Sequence, residues 1–86
     1  MKILHLSHAM VWGGNEQQLI DLIPELENLN TDNIIFCFEE SAMNKYCLKN
    51  NIKQISIPKK STYSVSLAIK LNKIIEDYSI DIIHMH

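Results

Sequence analysis

The hydrophobic patterning of these 86 residues predicts an α/β fold built on a parallel sheet. Three observations predict it. Short apolar runs alternate with longer stretches of helical period, in the order β-α-β-α-β-α-β. The runs around Ile3-Leu4 and Ile34-Ile35-Phe36 are close to continuously apolar, as strands covered on both faces are. Gly13 and Gly14, the only glycines, stand where the first strand must turn into the first helix.

The elements follow in chain order. Residues 2 to 7 form the first strand, with Ile3, Leu4 and Leu6 as its apolar members. A helix runs from about Asn15 to Leu29, its buried stripe being Leu19, Leu22, Ile23, Leu26 and Leu29. Pro24 removes a hydrogen bond to the Ile20 carbonyl, so a kink is expected; the pattern continues past it. The polar cluster from Asn28 to Asn33 is a turn, and Asn33-Ile34-Ile35-Phe36-Cys37-Phe38 the second strand. Ser41 caps a short helix reaching about Asn50. Lys53-Gln54-Ile55-Ser56-Ile57 alternates polar and apolar residues, which suits a strand near a sheet edge, and Pro58 stops it. Lys59 to Tyr63 is a loop whose Lys59-Lys60 pair reads as solvated. The third helix spans about Ser64 to Tyr78, with Leu67, Leu71, Ile74, Ile75 and Tyr78 as its stripe. Asp81-Ile82-Ile83-His84-Met85-His86 closes the chain as a fourth strand of central character. No helix follows to cover it, so the expectation is a longer protein or a partner chain on that face. Right-handed crossovers and a strand order of 3-2-1-4 complete the expected topology.

Composition excludes several classes. Hydrophobic residues make up 47% and charged residues 21%, with a formal charge of −2, so the chain is globular rather than disordered. The basic residues are eight lysines without an arginine. Without a basic patch or a bidentate guanidinium fork, nucleic acid is not an expected partner. Cys37 and Cys47 have the spacing of neither a zinc knuckle nor a redox pair and read as buried free thiols in a reducing compartment. The short apolar start is too brief for a signal peptide, and no segment has the length of a membrane span. These readings point to the cytoplasm.

The strand-to-helix turn Trp12-Gly13-Gly14-Asn15-Glu16 carries the strongest chemical signal. A helix opening there aims unpaired N–H groups and the positive end of its dipole at the turn, where residues without side chains let a ligand approach. The competing reading is that two glycines simply permit a tight turn. The turn lacks the third glycine of the dinucleotide fingerprint and the Gly-Lys-Ser/Thr of a P-loop. Asn15 and Glu16 complement the helix dipole. Trp12 either stacks on a sugar or clamps the turn against the first helix. His84 and His86 point the same way along the last strand. In a 3-2-1-4 sheet they gather with His8 at the carboxyl edge beside Gly13 and Gly14. No carboxylate motif accompanies them, which argues against a metal. His5, in mid-strand, reads as a satisfied core histidine. Glu39 and Glu40 end the second strand, where an acid would hold a ribose in a dinucleotide site; a solvated strand end is the simpler reading.

In order, the first strand with Gly13-Gly14-Asn15-Glu16-Gln17-Gln18-Leu19 and the closing Asp81-Ile82-Ile83-His84-Met85-His86 resemble the family 4 glycosyltransferases. The resemblance runs from Met1 to His86. It implies a GT-B enzyme with two facing Rossmann-like domains, of which residues 1–86 would be part of the amino-terminal, acceptor-side domain. It implies transfer of a hexosyl group from a nucleotide-sugar donor to a hydroxyl of a carbohydrate or lipid-linked acceptor, with retained anomeric configuration and no essential metal or cofactor. Such work would lie in the cytoplasm or at the cytoplasmic face of a membrane. By the same resemblance Gly13, Gly14, Trp12, Asn15, His8, His84 and His86 would line the substrate cleft. No catalytic residue is assigned, because the family's later histidine loop and donor-site residues have no counterpart in these 86 residues. The chain alone is expected to be inactive and to self-associate through its uncovered sheet. Gln17 also departs from the basic residue common after the glutamate. The rival readings are a non-catalytic partner-binding module and a nucleotide-binding domain of another sugar-nucleotide enzyme.

Overall fold

A computed structural model of the chain describes residues 1–7, 9–58 and 65–85, with the side chains of residues 65–67 outside that description. The expected element order holds. Strand β1 (Lys2–Leu6) leads to helix α1 (Gly14–Glu27), β2 (Asp32–Phe38) to α2 (Ala42–Lys49), β3 (Gln54–Ile57) to α3 (Val65–Asp77), and β4 (Ile82–Met85) follows. All strand pairings are parallel, and the order is β3-β2-β1-β4. That is the strand order expected of a Rossmann-like half. The loop from Lys59 to Tyr63 and Leu67's place in the α3 stripe lie outside the described residues and side chains.

Two apolar clusters sandwich the sheet. On one face Leu19 and Ile23 of α1 and Met43 and Cys47 of α2 pack with Ile35 and Cys37 of β2. On the other, Leu4, Ile34, Phe36 and Ile57 pack with Leu71 and Ile74 of α3. The parity of β2 explains the division: odd and even residues face opposite sides, and both sets are buried. Cys37 and Cys47 are indeed buried and free.

The helix ends differ from the sequence expectation in a consistent way. Helix α1 runs through Pro24 and stops at Glu27. Leu29, expected in the stripe, is 72% exposed. There the chain tightens into turn hydrogen bonds from Leu29 to Leu26 and from Asn30 to Glu27, and Asn30 takes a left-handed conformation with φ of 60°. Tyr78 likewise falls just past α3 and is exposed, with Ser79 left-handed at 54°. A residue in the left-handed conformation cannot continue the helix, so the chain leaves the helical path there. Helix α2 begins as expected, Ser41 Oγ accepting from the Asn44 N–H at 3.0 Å.

The last strand is not central among the described residues. Strand β4 pairs with β1 alone, and all four of its residues are exposed. The outward exposure of Ile82, Ile83 and Met85 is what the apolar sequence of this strand makes unusual for an edge.

Candidate functional site

The loop after β1 is anchored at several points before it delivers Gly13 and Gly14. The Ser7 N–H donates to the Phe36 carbonyl, fixing the strand end, and the Met10 carbonyl accepts from the Ala42 N–H at the start of α2. Trp12 then lies tilted over Tyr46 of α2, ring centroids 5.0 Å apart, and its Nε1 donates to Gln17 Oε1 at 3.3 Å. Gln17 in turn donates to Asp21. The ring therefore clamps the turn, as one of the two readings held, against both the first helix and the second.

Gly13 is the N-cap of α1, in extended conformation (φ −145°, ψ −169°), and provides no side-chain capping hydrogen bond. The first intrahelical bond runs from the Gln17 N–H to the Gly13 carbonyl. The N–H groups of the opening turn are thus outside the helical ladder, at the positive end of the dipole. Neither glycine has a positive φ. A β-carbon at Gly14 would meet nothing within 4 Å, and one at Gly13 would meet only Glu16 Oε1 at 3.5 Å, an ordinary contact. The backbone does not need glycine at either position. Asn15 is exposed beside them. Glu16, read from sequence as complementing the helix dipole, lies in the first turn of α1 and is buried.

Of the three histidines expected to gather at the carboxyl edge, only His84 falls among the described residues. His8 and His86 lie outside the described residues. His84 is in register with His5 rather than with the end of β1. The two rings meet edge to face with centroids 5.4 Å apart, and their Nδ1 atoms are 3.3 Å apart. His5 is fully buried, and its Nε2 lies 2.9 Å from Asn33 Oδ1. It is the satisfied core histidine that its mid-strand position suggested. Burial holds its imidazole below the usual range, the Asn33 hydrogen bond opposes this, and neighbouring His84 adds to the lowering. Among the described residues no group of three or more His, Cys, Asp or Glu could hold a metal ion.

Sequence reasoning missed two partners. Asp81 ties β4 to β1: its Oδ2 accepts from the Lys2 N–H at 2.8 Å, and its own N–H donates to the Lys2 carbonyl. Asn33 was read as the first residue of a strand, but it shares a sheet face with Ile35 and Cys37 and reaches His5. Its parity with those residues was the available signal. Glu39 and Glu40 are exposed at the end of β2.

A four-stranded parallel sheet of order β3-β2-β1-β4 whose first strand leads through a glycine turn into a helix defines a Rossmann-like partial domain. Residues 3–86 match the family model described as glycosyl transferase 4-like. The chain belongs to that glycosyltransferase family. No match to it was found among curated proteins or among solved structures. Among the described residues no helix is long and apolar enough to cross a membrane.

Proposed function

We propose that this chain is the acceptor-side, amino-terminal part of a GT-B glycosyltransferase. The reaction passes a hexosyl group from a nucleotide-sugar to a hydroxyl of a carbohydrate or lipid-linked acceptor, with retention and without a metal. It takes place in the cytoplasm or at the cytoplasmic face of a membrane. Gly13 and Gly14 offer their backbone to the donor phosphates or to the acceptor. Trp12 and Asn15 flank them, and His84, with His8 and His86, belongs to the same cleft. A facing domain supplies the donor site, so residues 1–86 alone transfer no sugar.

One observation carries this reading. Two adjacent glycines occupy an uncapped helix start whose backbone would accept other residues. With the tight-turn explanation lost, close approach of a ligand remains as the reason for them. N–H groups aimed at a departing diphosphate would stabilise its developing charge. The test is Gly14→Val in the enzyme carrying both domains: turnover should fall strongly while the fold is kept. Near-normal turnover would remove the turn from the mechanism.

The exposed edge strand favours a second property of the same chain. Ile82, Ile83 and Met85 leave apolar surface on β4, and an edge of this kind pairs with another chain. Residues 1–86 should therefore self-associate, which sedimentation velocity would read as a mass above 10.0 kDa.

A further inference from the structure

Of the four acids in α1, Glu16, Asp21, Glu25 and Glu27, only Glu16 is buried, at 8% exposure. It stands third after the N-cap Gly13, the place from which a glutamate ordinarily reaches back to the N-cap N–H. Its side chain does turn back, since a β-carbon added to Gly13 would lie 3.5 Å from Glu16 Oε1. Among the described residues, however, the carboxylate makes no hydrogen bond or ion pair. Its oxygens are not sealed in, because no fully buried side-chain oxygen or nitrogen among the described residues lacks a partner. The stem is therefore packed into the fold while the oxygens open on the turn. The helix dipole explains an acid in the first turn, but a solvated one would serve it equally. It does not explain an acid that is packed down and left without a partner, which is costly.

The turn sets two opposite kinds of group side by side. The N–H groups of Gly14, Asn15 and Glu16, outside the helical ladder, can only donate, and an ionised carboxylate can only accept. A ligand group that satisfies the carboxylate must bring a hydrogen. A hydroxyl does so; a phosphate dianion does not, and it is repelled by the like charge.

We propose that Glu16 is a specificity-determining residue that accepts a hydrogen bond from a free hydroxyl of a carbohydrate and rejects the same position when it is phosphorylated. The carbohydrate class rests on the proposed transferase reading; the demand for an uncharged donor group does not. The demand applies only to the group that meets the carboxylate, so phosphates elsewhere in a ligand remain partners for the N–H groups.

Calorimetric titration of the enzyme carrying both domains tests this, with methyl hexosides, their monodeoxy and monophosphate analogues, and nucleotide-sugars with the matching deoxy changes. At one position, loss of the hydroxyl should weaken binding about 10- to 100-fold, and phosphorylation there should weaken it further. Glu16→Gln keeps the shape without the charge and should relieve the phosphate penalty. Glu16→Ala removes the acceptor and should abolish the deoxy penalty; if it does not fold, Glu16→Gln decides. A deoxy penalty in the methyl hexosides places the hydroxyl in the acceptor, and one in the nucleotide-sugars places it in the donor. An acid that serves only the helix dipole would lower Tm when replaced and leave every sugar affinity unchanged. That result would overturn the inference and leave the transferase reading standing. A complete absence of sugar binding by the unmodified enzyme would remove both.

Discussion

Gly14→Ala separates a glycine kept for the fold from one kept for a ligand. Gly14 is the first residue of α1, its φ is not positive, and an added β-carbon meets no atom within 4 Å. Where the native conformation suits alanine, this change stabilises by about 0.4–1 kcal/mol, chiefly by restricting the unfolded chain. The first helical position is less constrained than the interior, so the lower end, about 0.5 kcal/mol, applies. For a domain of this size that corresponds to a rise in Tm of about 2–4 °C, readable by far-ultraviolet circular dichroism. Binding should move the other way. A methyl group over the open N–H groups would displace a charged ligand from at least one hydrogen bond. That costs about 1.5–3 kcal/mol, or about 10- to 150-fold in Kd for a nucleotide-sugar measured by calorimetry. A Tm lowered by several degrees would show that the turn needs glycine and would refute the reasoning. A raised Tm with unchanged affinity would refute the ligand's place.

The remaining predictions concern the scaffold. Ser41→Ala removes the N-cap side-chain acceptor of α2 and should cost about 1 kcal/mol, a loss that urea unfolding would resolve. Burial pushes the Cys47 thiol up to about 12, with Cys37 beside it adding to the shift, and burial also raises Cys37. Both should resist alkylation at pH 8 in the folded chain and react on unfolding; rapid native labelling would contradict the burial. His5 has a folded pKa below its ordinary value of 6.5, so the unfolded state binds its proton more readily. The contribution is fully present above about pH 6.5 and is lost as pH falls below it, toward and through the folded pKa. Urea midpoints should thus drop on acidification through this window, and the drop should shrink in His5→Leu.

The fold was legible where periodicity decides and less so where single residues do. Apolar runs of β1 and β2 and the stripes of α1 and α3 sufficed for element order, and the Rossmann-like pattern then gave the order β3-β2-β1-β4. Ser41 announced its helix by side-chain chemistry. The ends of α1 and α3 were misplaced because Asn30 and Ser79 adopt left-handed backbone without a glycine to signal it. Each apolar pattern ran one or two residues past its helix. The glycine turn was legible as the start of α1, but only coordinates show that a β-carbon would be tolerated there. His5, His84 and Asn33 were visible as residues, yet their meeting depends on register. Strand β4 pairs from Ile3 against Ile82, which sets His84 beside His5.

The two faces of β1 show how that pairing is accommodated energetically. On the α3 side, Leu4 is buried in an entirely apolar cluster, and packing alone accounts for it. On the α1 side, the same strand buries His5 and Ser7, with Asn33 adjacent on β2. A buried polar group left without a partner costs about 1–3 kcal/mol, whereas an apolar pair of the same shape in place of both partners is close to neutral. Stability therefore does not require polar residues at this position in the sheet. It requires only that, once present, they be matched, and the row from Thr31 through Asn33 and His5 to His84 matches them. The row runs toward β4, the exposed edge, rather than ending inside the core.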